Sequence, residues 1–203
     1  MARAPVGCAS VRECPPKAVT TGCCPEQAKG GTSTAMTEIL KTRRLRLREF
    51  HRDDLDKLAA MVADEEQMRF YPQPRTRDEA STWIGLNLSR YEEYRFGFWL
   101  IESRPTSAFL GYCGIRPLLL ENEPWTEIGW HTKKTSWNQG IATEAATAVR
   151  DLAVARFGQT RLVALIHPEH FASRWVAEKI GMHEKGAILY DGDPYVTYVS
   201  EYG

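Results

Sequence analysis

Charge of one sign is what this 203-residue sequence lacks first: 26 lysines and arginines stand against 26 aspartates and glutamates. That balance removes the broad field by which a chain gathers nucleic acid or an acidic membrane, so neither is an expected partner. No apolar run approaches the roughly 18 residues of a membrane-spanning helix, and no continuous apolar centre suggests a secretory signal. Cysteine is scarce outside the first 24 residues, which hold Cys8, Cys14, Cys23 and Cys24 of the five. Their spacing does not match a zinc knuckle. A reducing, cytoplasmic location is therefore expected, with Cys113 a lone thiol in a strand or the core. Two nucleotide motifs are also missing. Between Gly129 and Lys134-Thr135, Lys134 stands where a Walker loop needs its second glycine. Among Gly140, Ala142 and Ala145 only one of the three Rossmann glycines is present.

What is present begins at residue 36. Residues 1–35 carry Gly, Pro, Ser and Thr with few large apolar side chains, so they are expected to form a disordered extension. Residues 36–203 are expected to form one domain, and a 43% hydrophobic content suffices for its core. Its best-patterned stretch is Trp137-Asn138-Gln139-Gly140-Ile141-Ala142-Thr143-Glu144-Ala145. A strand (Thr126 to His131) precedes it, and a helix follows, with Ala145, Ala146, Ala148, Val149, Leu152, Ala153 and Phe157 at helical spacing and Gly158 as the stop. The first N–H groups of such a helix have no internal partner and point outward with the positive end of the dipole, which makes an anion site. A strand-to-helix turn that binds nothing is the competing reading.

The remaining elements follow in order. Thr42 to Arg48 alternates Leu with Arg and reads as a strand whose arginines form a solvated face. Asp53 is the expected N-cap of a helix that frays near Asp64. Thr76 and Glu79 make a capping box for a second helix carrying Ala80, Trp83, Ile84, Leu88 and Tyr91. Strands are expected at Phe96 to Ile101 and Phe109 to Leu120, with Gly111 and Gly114 marking tight packing or a bulge. Arg161 to Ile166 reads as a central strand, Ser173 to Ile180 as a helix, and Ala187 to Tyr190 with Tyr195 to Tyr202 as a closing hairpin.

This order, β-α-α-β-β-β-α-β-α-β-β, together with Trp137, Gly140, Ile141, Ala142, Thr143, Glu144 and Ala145, resembles the GNAT superfamily of N-acetyltransferases. The likeness is to its branch acting on ribosomal-protein N-termini. A second element agrees: Ser173, Glu178, Lys179, Gly181 and Met182 match the family's later motif. The resemblance implies an α/β (α+β) fold, with helices flanking a central mixed, mostly antiparallel sheet. It also implies acetyl-CoA as co-substrate, no metal, and a primary-amine acceptor, either a protein N-terminus or a small molecule, served by a monomer or homodimer. It assigns the coenzyme to Ile128, Gly129, Trp130, His131, the loop Trp137, Asn138, Gln139, Gly140, Ile141, Ala142 and Thr143, and to His170 and Ser173. Phe70, Tyr71 and Trp83 either line the acceptor cleft, as the resemblance implies, or fill the core.

An alkylamine with pKa near 10.4 is neutral in only about one molecule per thousand at pH 7.4, and only that form attacks a thioester. The chain therefore needs a base. Glu127 is the first candidate; an exposed strand carboxylate is the bland alternative. His131 is a second candidate, since an unperturbed imidazole titrates near 6.5. The resemblance implies an oxyanion donor among the N–H groups near Gly129 and Trp130. Two departures stand out. Many relatives have a thiol-protonating tyrosine where this chain has Ala177, which leaves Ser173 as the substitute donor, and His170 replaces the usual asparagine. These departures keep two rivals open: a catalytically idle acyl-CoA-binding module, and an O-acetyl or longer-acyl transferase.

Overall fold

A computed structural model describes residues 37–202, so the expected extension at 1–35 lies outside the described residues. Eight strands form one sheet in the order β1-β2-β3-β4-β5-β6-β8-β7. They are β1 (Glu38–Lys41), β2 (Leu45–Arg48), β3 (Phe98–Ser103), β4 (Phe109–Leu120), β5 (Glu123–Thr132), β6 (Arg161–Ile166), β7 (His183–Tyr190) and β8 (Asp193–Glu201). Every neighbouring pair is antiparallel except β5 with β6. Strand β1 was not anticipated. Its four residues pair only with β2 and carry no alternation strong enough to announce them.

Period-two alternation divides the sheet between two helical layers. Leu45, Leu47, Trp99, Ile101, Cys113, Ile115 and Ile128 pack with α3 (Ile141–Phe157) and α4 (Phe171–Lys179) on one face. Leu100 and Phe50 pack with α1 (Leu55–Val62) and α2 (Arg77–Tyr94) on the other. Helix α4 begins two residues before the expected Ser173, with His170 as its N-cap. The capping box of α2 is as the sequence indicates: the Glu79 N–H donates to Thr76 Oγ1 at 3.2 Å, and the Thr76 N–H to Glu79 Oε2 at 2.7 Å. We expect Thr76→Ala to cost about 1 kcal/mol of stability, measured by urea unfolding; an unchanged midpoint would show that the cap contributes nothing.

Two expectations are corrected. Asp53 is not the N-cap of α1. His51 opens a short 3-10 turn over Arg52–Asp54, and Asp54 is the residue that precedes α1. The arginines of β2 do not form a solvated face either. Arg48 is 2% exposed, and its Nη1 and Nη2 donate to the Asp54 carboxylate at 2.7 and 2.8 Å. Glu102 accepts from Arg48 Nε at 3.0 Å and from Arg46 Nε at 3.0 Å. A long guanidinium can be buried where carboxylates meet it on both sides.

The glycines of β4 serve close packing, as expected. A Cβ on Gly111 or Gly114 would stand 2.2 Å from a backbone oxygen, that of His131 or of Gly97.

Candidate active site

The one parallel contact in the sheet is short. Strand β5 meets β6 only through Thr126 with Leu162 and Glu127 with Val163. Beyond that point β5 continues to Thr132 against β4 alone, while β6 continues to Ile166 against β8. The two strands therefore splay, and the β5 edge from Ile128 onward is open to an extended ligand that could act as a surrogate strand. Alternation sends the side chains of β5 to both faces. Ile128 enters the core beneath α3. Glu127, Gly129 and His131 face the α1/α2 layer: His131 stacks on Tyr71 at 5.4 Å, and a Cβ on Gly129 would meet the Phe98 ring at 2.9 Å. The absent side chain at Gly129 thus makes room for Phe98.

At the end of β5, a short turn at Lys134–Ser136 leads into the glycine loop. Trp137 Nε1 donates to the Thr132 carbonyl at 2.9 Å, and Gln139 Nε2 to the Thr135 carbonyl at 2.8 Å, so both side chains tie the loop back to its own stem. Asn138 and Gly140 take left-handed conformations, with φ of 59° and 73°. Gly140 caps α3, and the first helical N–H it accepts is that of Glu144, at 3.0 Å. The N–H groups of Ile141, Ala142 and Thr143 consequently have no acceptor within the helix. Asn138, Gln139 and Gly140 are exposed, Ala142 and Thr143 half-buried, and Ile141 buried. Such a cradle of small residues at the positive end of a 17-residue helix suits an anion.

Glu144 is latched to the β1–β2 turn. Its Oε1 accepts from Thr42 Oγ1 at 2.5 Å and from the Arg44 N–H at 3.0 Å, and its Oε2 from Arg44 Nε at 2.6 Å. Burial by itself would raise this carboxyl, but those donors outweigh it and hold the group below its ordinary range.

Across the splay, the α1–α2 loop reaches the start of α4. Phe70 stacks on His170 with centroids 4.2 Å apart and lies 5.4 Å from His167. His170 Nδ1 is buried with no hydrogen-bond partner among the described residues. Burial, with the charges of Arg69 and His167, lowers the His170 imidazole to about 4. Ser173 is half-buried, and its N–H donates to the His170 carbonyl at 3.0 Å. His131 is also lowered to about 4, chiefly by burial. There it holds a proton no better than an ordinary carboxylate, so the property that recommended it as a base is lost.

Glu127 sits among aromatic hydroxyls. Arg116, its cross-strand neighbour, donates from Nε to Oε2. The Glu127 charge also helps to raise Tyr71, Tyr112, Tyr190 and Tyr195, for each of which burial is the largest cause. The guanidinium of Arg116 is raised by the carboxylate beside it and hydrogen-bonds Tyr190 as well. Trp83 packs on Tyr112 at 4.8 Å and edge-on against Phe50 at 5.3 Å, half-buried between core and cleft. A surface crevice opens beside this cluster, lined by Arg69, Phe70, Tyr71, Pro72, His167, Asp193, Pro194 and Tyr195. The sequence singles out Phe70, Tyr71 and Trp83 but not Tyr112, Arg116, Tyr190 or Tyr195. Their strands were legible, but the fold of the β7–β8 hairpin toward β4 and β5 was not.

The splayed strands and the glycine loop lie within a stretch that matches a known family. Residues 44–183 match the family model described as "Acetyltransferase (GNAT) domain", and the chain belongs to that family. It is 34% identical over 160 residues to the uncharacterized protein YkkB of Bacillus subtilis (strain 168), covering 78% of this chain and 93% of that one. Among solved structures it resembles an acetyltransferase from Agrobacterium tumefaciens str. C58, with a TM-score of 0.72 and 23% identity over 86% of this chain and all of the other. It also resembles RimL, a ribosomal alpha-N-protein acetyltransferase solved in complex with coenzyme A, with a TM-score of 0.68 and 18% identity over 81% and 97% of the two chains. At such identities these structures establish the fold, a mixed sheet of mostly antiparallel strands with helices on both sides.

Proposed function

We propose that this chain transfers the acetyl group of acetyl-CoA directly to a primary amine, of a protein N-terminus or a small molecule, within a ternary complex. The observation that carries this reading is the end of β5–β6 pairing at Glu127, which leaves one open strand edge leading toward the N-terminus of α3. The pantetheine arm lies along that edge, and the diphosphate meets the N–H groups of Gly140 to Thr143. Three features fit the coenzyme: the loop of small residues, the open edge, and the orphaned His170 Nδ1, which would hydrogen-bond the pantetheine arm.

The acceptor approaches from the α1/α2 face through the crevice at Phe70, Tyr71 and Tyr195. Glu127 takes a proton from its ammonium, directly or through water. The amine lone pair then attacks the thioester carbonyl, and the charge on oxygen is met by N–H groups of β5 near Gly129 and Trp130. The carbon–sulfur bond breaks, and the thiolate takes the proton that the acylated nitrogen still carries, while the Ser173 hydroxyl donates a hydrogen bond to the sulfur. The CoA complex of RimL supports the choice of coenzyme.

The test is titration calorimetry of the full chain under reducing conditions with acetyl-CoA and CoA, followed by thiol release on adding amines. Gly140→Glu puts a carboxylate into the anion loop and is expected to weaken CoA binding at least tenfold. Gly140→Asn tolerates the left-handed backbone and should bind within a few-fold of wild type. A folded wild type that binds neither acetyl-CoA nor CoA overturns the reading. Binding without amine-dependent thiol release across a broad amine set leaves the idle binding module instead.

A further inference from the structure

The β1–β2 turn lies almost 100 residues from the glycine loop in sequence, yet its Arg44 grips that loop at two points. Nε donates to Glu144 Oε2 at 2.6 Å, and Nη1 donates to the Gln139 carbonyl at 2.9 Å. Thr42 Oγ1 and the Arg44 N–H complete the hold on Glu144. The second contact has a directional consequence. In a trans peptide the C=O and the following N–H point opposite ways. Fixing the Gln139 carbonyl toward Arg44 therefore turns the Gly140 N–H away from it. Gly140 is left-handed and Ile141 begins the helix, and such a pairing of hands makes successive N–H groups converge on a concavity that accepts anions. The guanidinium charge is already matched by the Glu144 carboxylate, so Arg44 brings orientation to the loop rather than net charge.

We propose that Arg44 is a positioning residue for the coenzyme diphosphate: by holding the Gln139 carbonyl, with Glu144 as its anchor, it presents the Gly140 N–H to the phosphate oxygens. The inference rests on the acetyl-CoA reading above. It distinguishes itself from a purely structural latch because it confines the effect to ligands that carry the diphosphate.

The experiment compares wild type, Arg44→Ala and Arg44→Lys for binding of CoA, by calorimetry, and of pantetheine, which lacks the diphosphate and nucleotide, by ligand-observed NMR. Melting curves report on the fold. One misdirected backbone donor should weaken CoA about tenfold in both variants, while pantetheine binding stays within twofold. Lysine keeps the charge but cannot reach two acceptors as a fork, so it should not rescue. Wild-type affinity for CoA in Arg44→Ala overturns the proposal, as does rescue by lysine, which would make the role one of charge. Equal weakening of CoA and pantetheine also overturns it, since the latch would then merely hold the fold. A wild type that binds no CoA removes the functional reading itself, whereas unaltered binding by Arg44→Ala removes only this inference.

Discussion

Glu127→Gln is expected to lower kcat for amine acetylation by about 10²- to 10³-fold near neutral pH while leaving the Kd for CoA within twofold of wild type. Glutamine preserves the shape of the side chain and can still accept the hydrogen bond from Arg116 Nε, so the cross-strand pair keeps an acceptor. What it removes is a site able to hold the amine proton. The expected pH dependence separates a base from a mere ammonium anchor. At pH 7 nearly all of an alkylamine acceptor is protonated, and the variant lacks the group that would deprotonate it. As the pH approaches the amine's own pKa, near 10.4, solution supplies neutral amine and the deficit should narrow. A carboxylate that only binds the ammonium would show itself as a raised KM with kcat unchanged. That pattern, or a deficit constant with pH, would reassign the proton to a different group. Steady-state thiol release against amine concentration at pH 7 to 10 supplies both parameters.

Much of this arrangement is readable before any coordinates. The small-residue loop, the Ala-rich face of α3, the Thr76–Glu79 capping box and the apolar run of β6 are local patterns, and each is set by chemistry within about ten residues. The ends of elements were less legible. Helix α4 starts at Phe171 rather than Ser173, and β7 begins at His183 rather than Ala187, because pairing with β8 extends a strand past the point where its own alternation fades. What the sequence could not show is contact between distant elements. Arg44 reaches Gln139, and Arg116 reaches Tyr190, across stretches of chain with no shared periodicity. His131 shows the same limit in its titration: the residue is obvious, but the burial under Tyr71 and Tyr112 that lowers it to about 4 is a property of the packed sheet.

The arginines of β2 are the clearest case of a pattern read correctly and interpreted wrongly, and they carry the largest expected effect on stability. Arg48→Met keeps an unbranched side chain of similar length but leaves Asp54 and Glu102, 3% and 4% exposed, without their shared cation. Breaking a buried ionic cluster by removing one partner typically costs about 3–5 kcal/mol. The lower end is expected here, because Lys57 still donates to Asp54 at 2.9 Å and Arg46 to Glu102 at 3.0 Å. In the wild type, burial alone would raise the Asp54 carboxyl, but bonds from Arg48, Lys57 and the His51 backbone outweigh it and hold it well below the ordinary range. A folded-state pKa below the unfolded one means that this contribution is complete above the unfolded value, about 3.9, and is lost as the pH falls through the folded value. In Arg48→Met the sign reverses. Burial, which raises the Asp54 carboxyl, loses the largest of the bonds that opposed it, so Asp54 takes up a proton more readily in the folded variant than in the unfolded chain and acid relieves part of the strain. The gap between variant and wild type should accordingly be widest at pH 7.5 and shrink toward pH 4.5 in urea unfolding at matched salt. A gap of the same size at both pH values would mean that the loss comes from packing around the side chain and not from the orphaned charges.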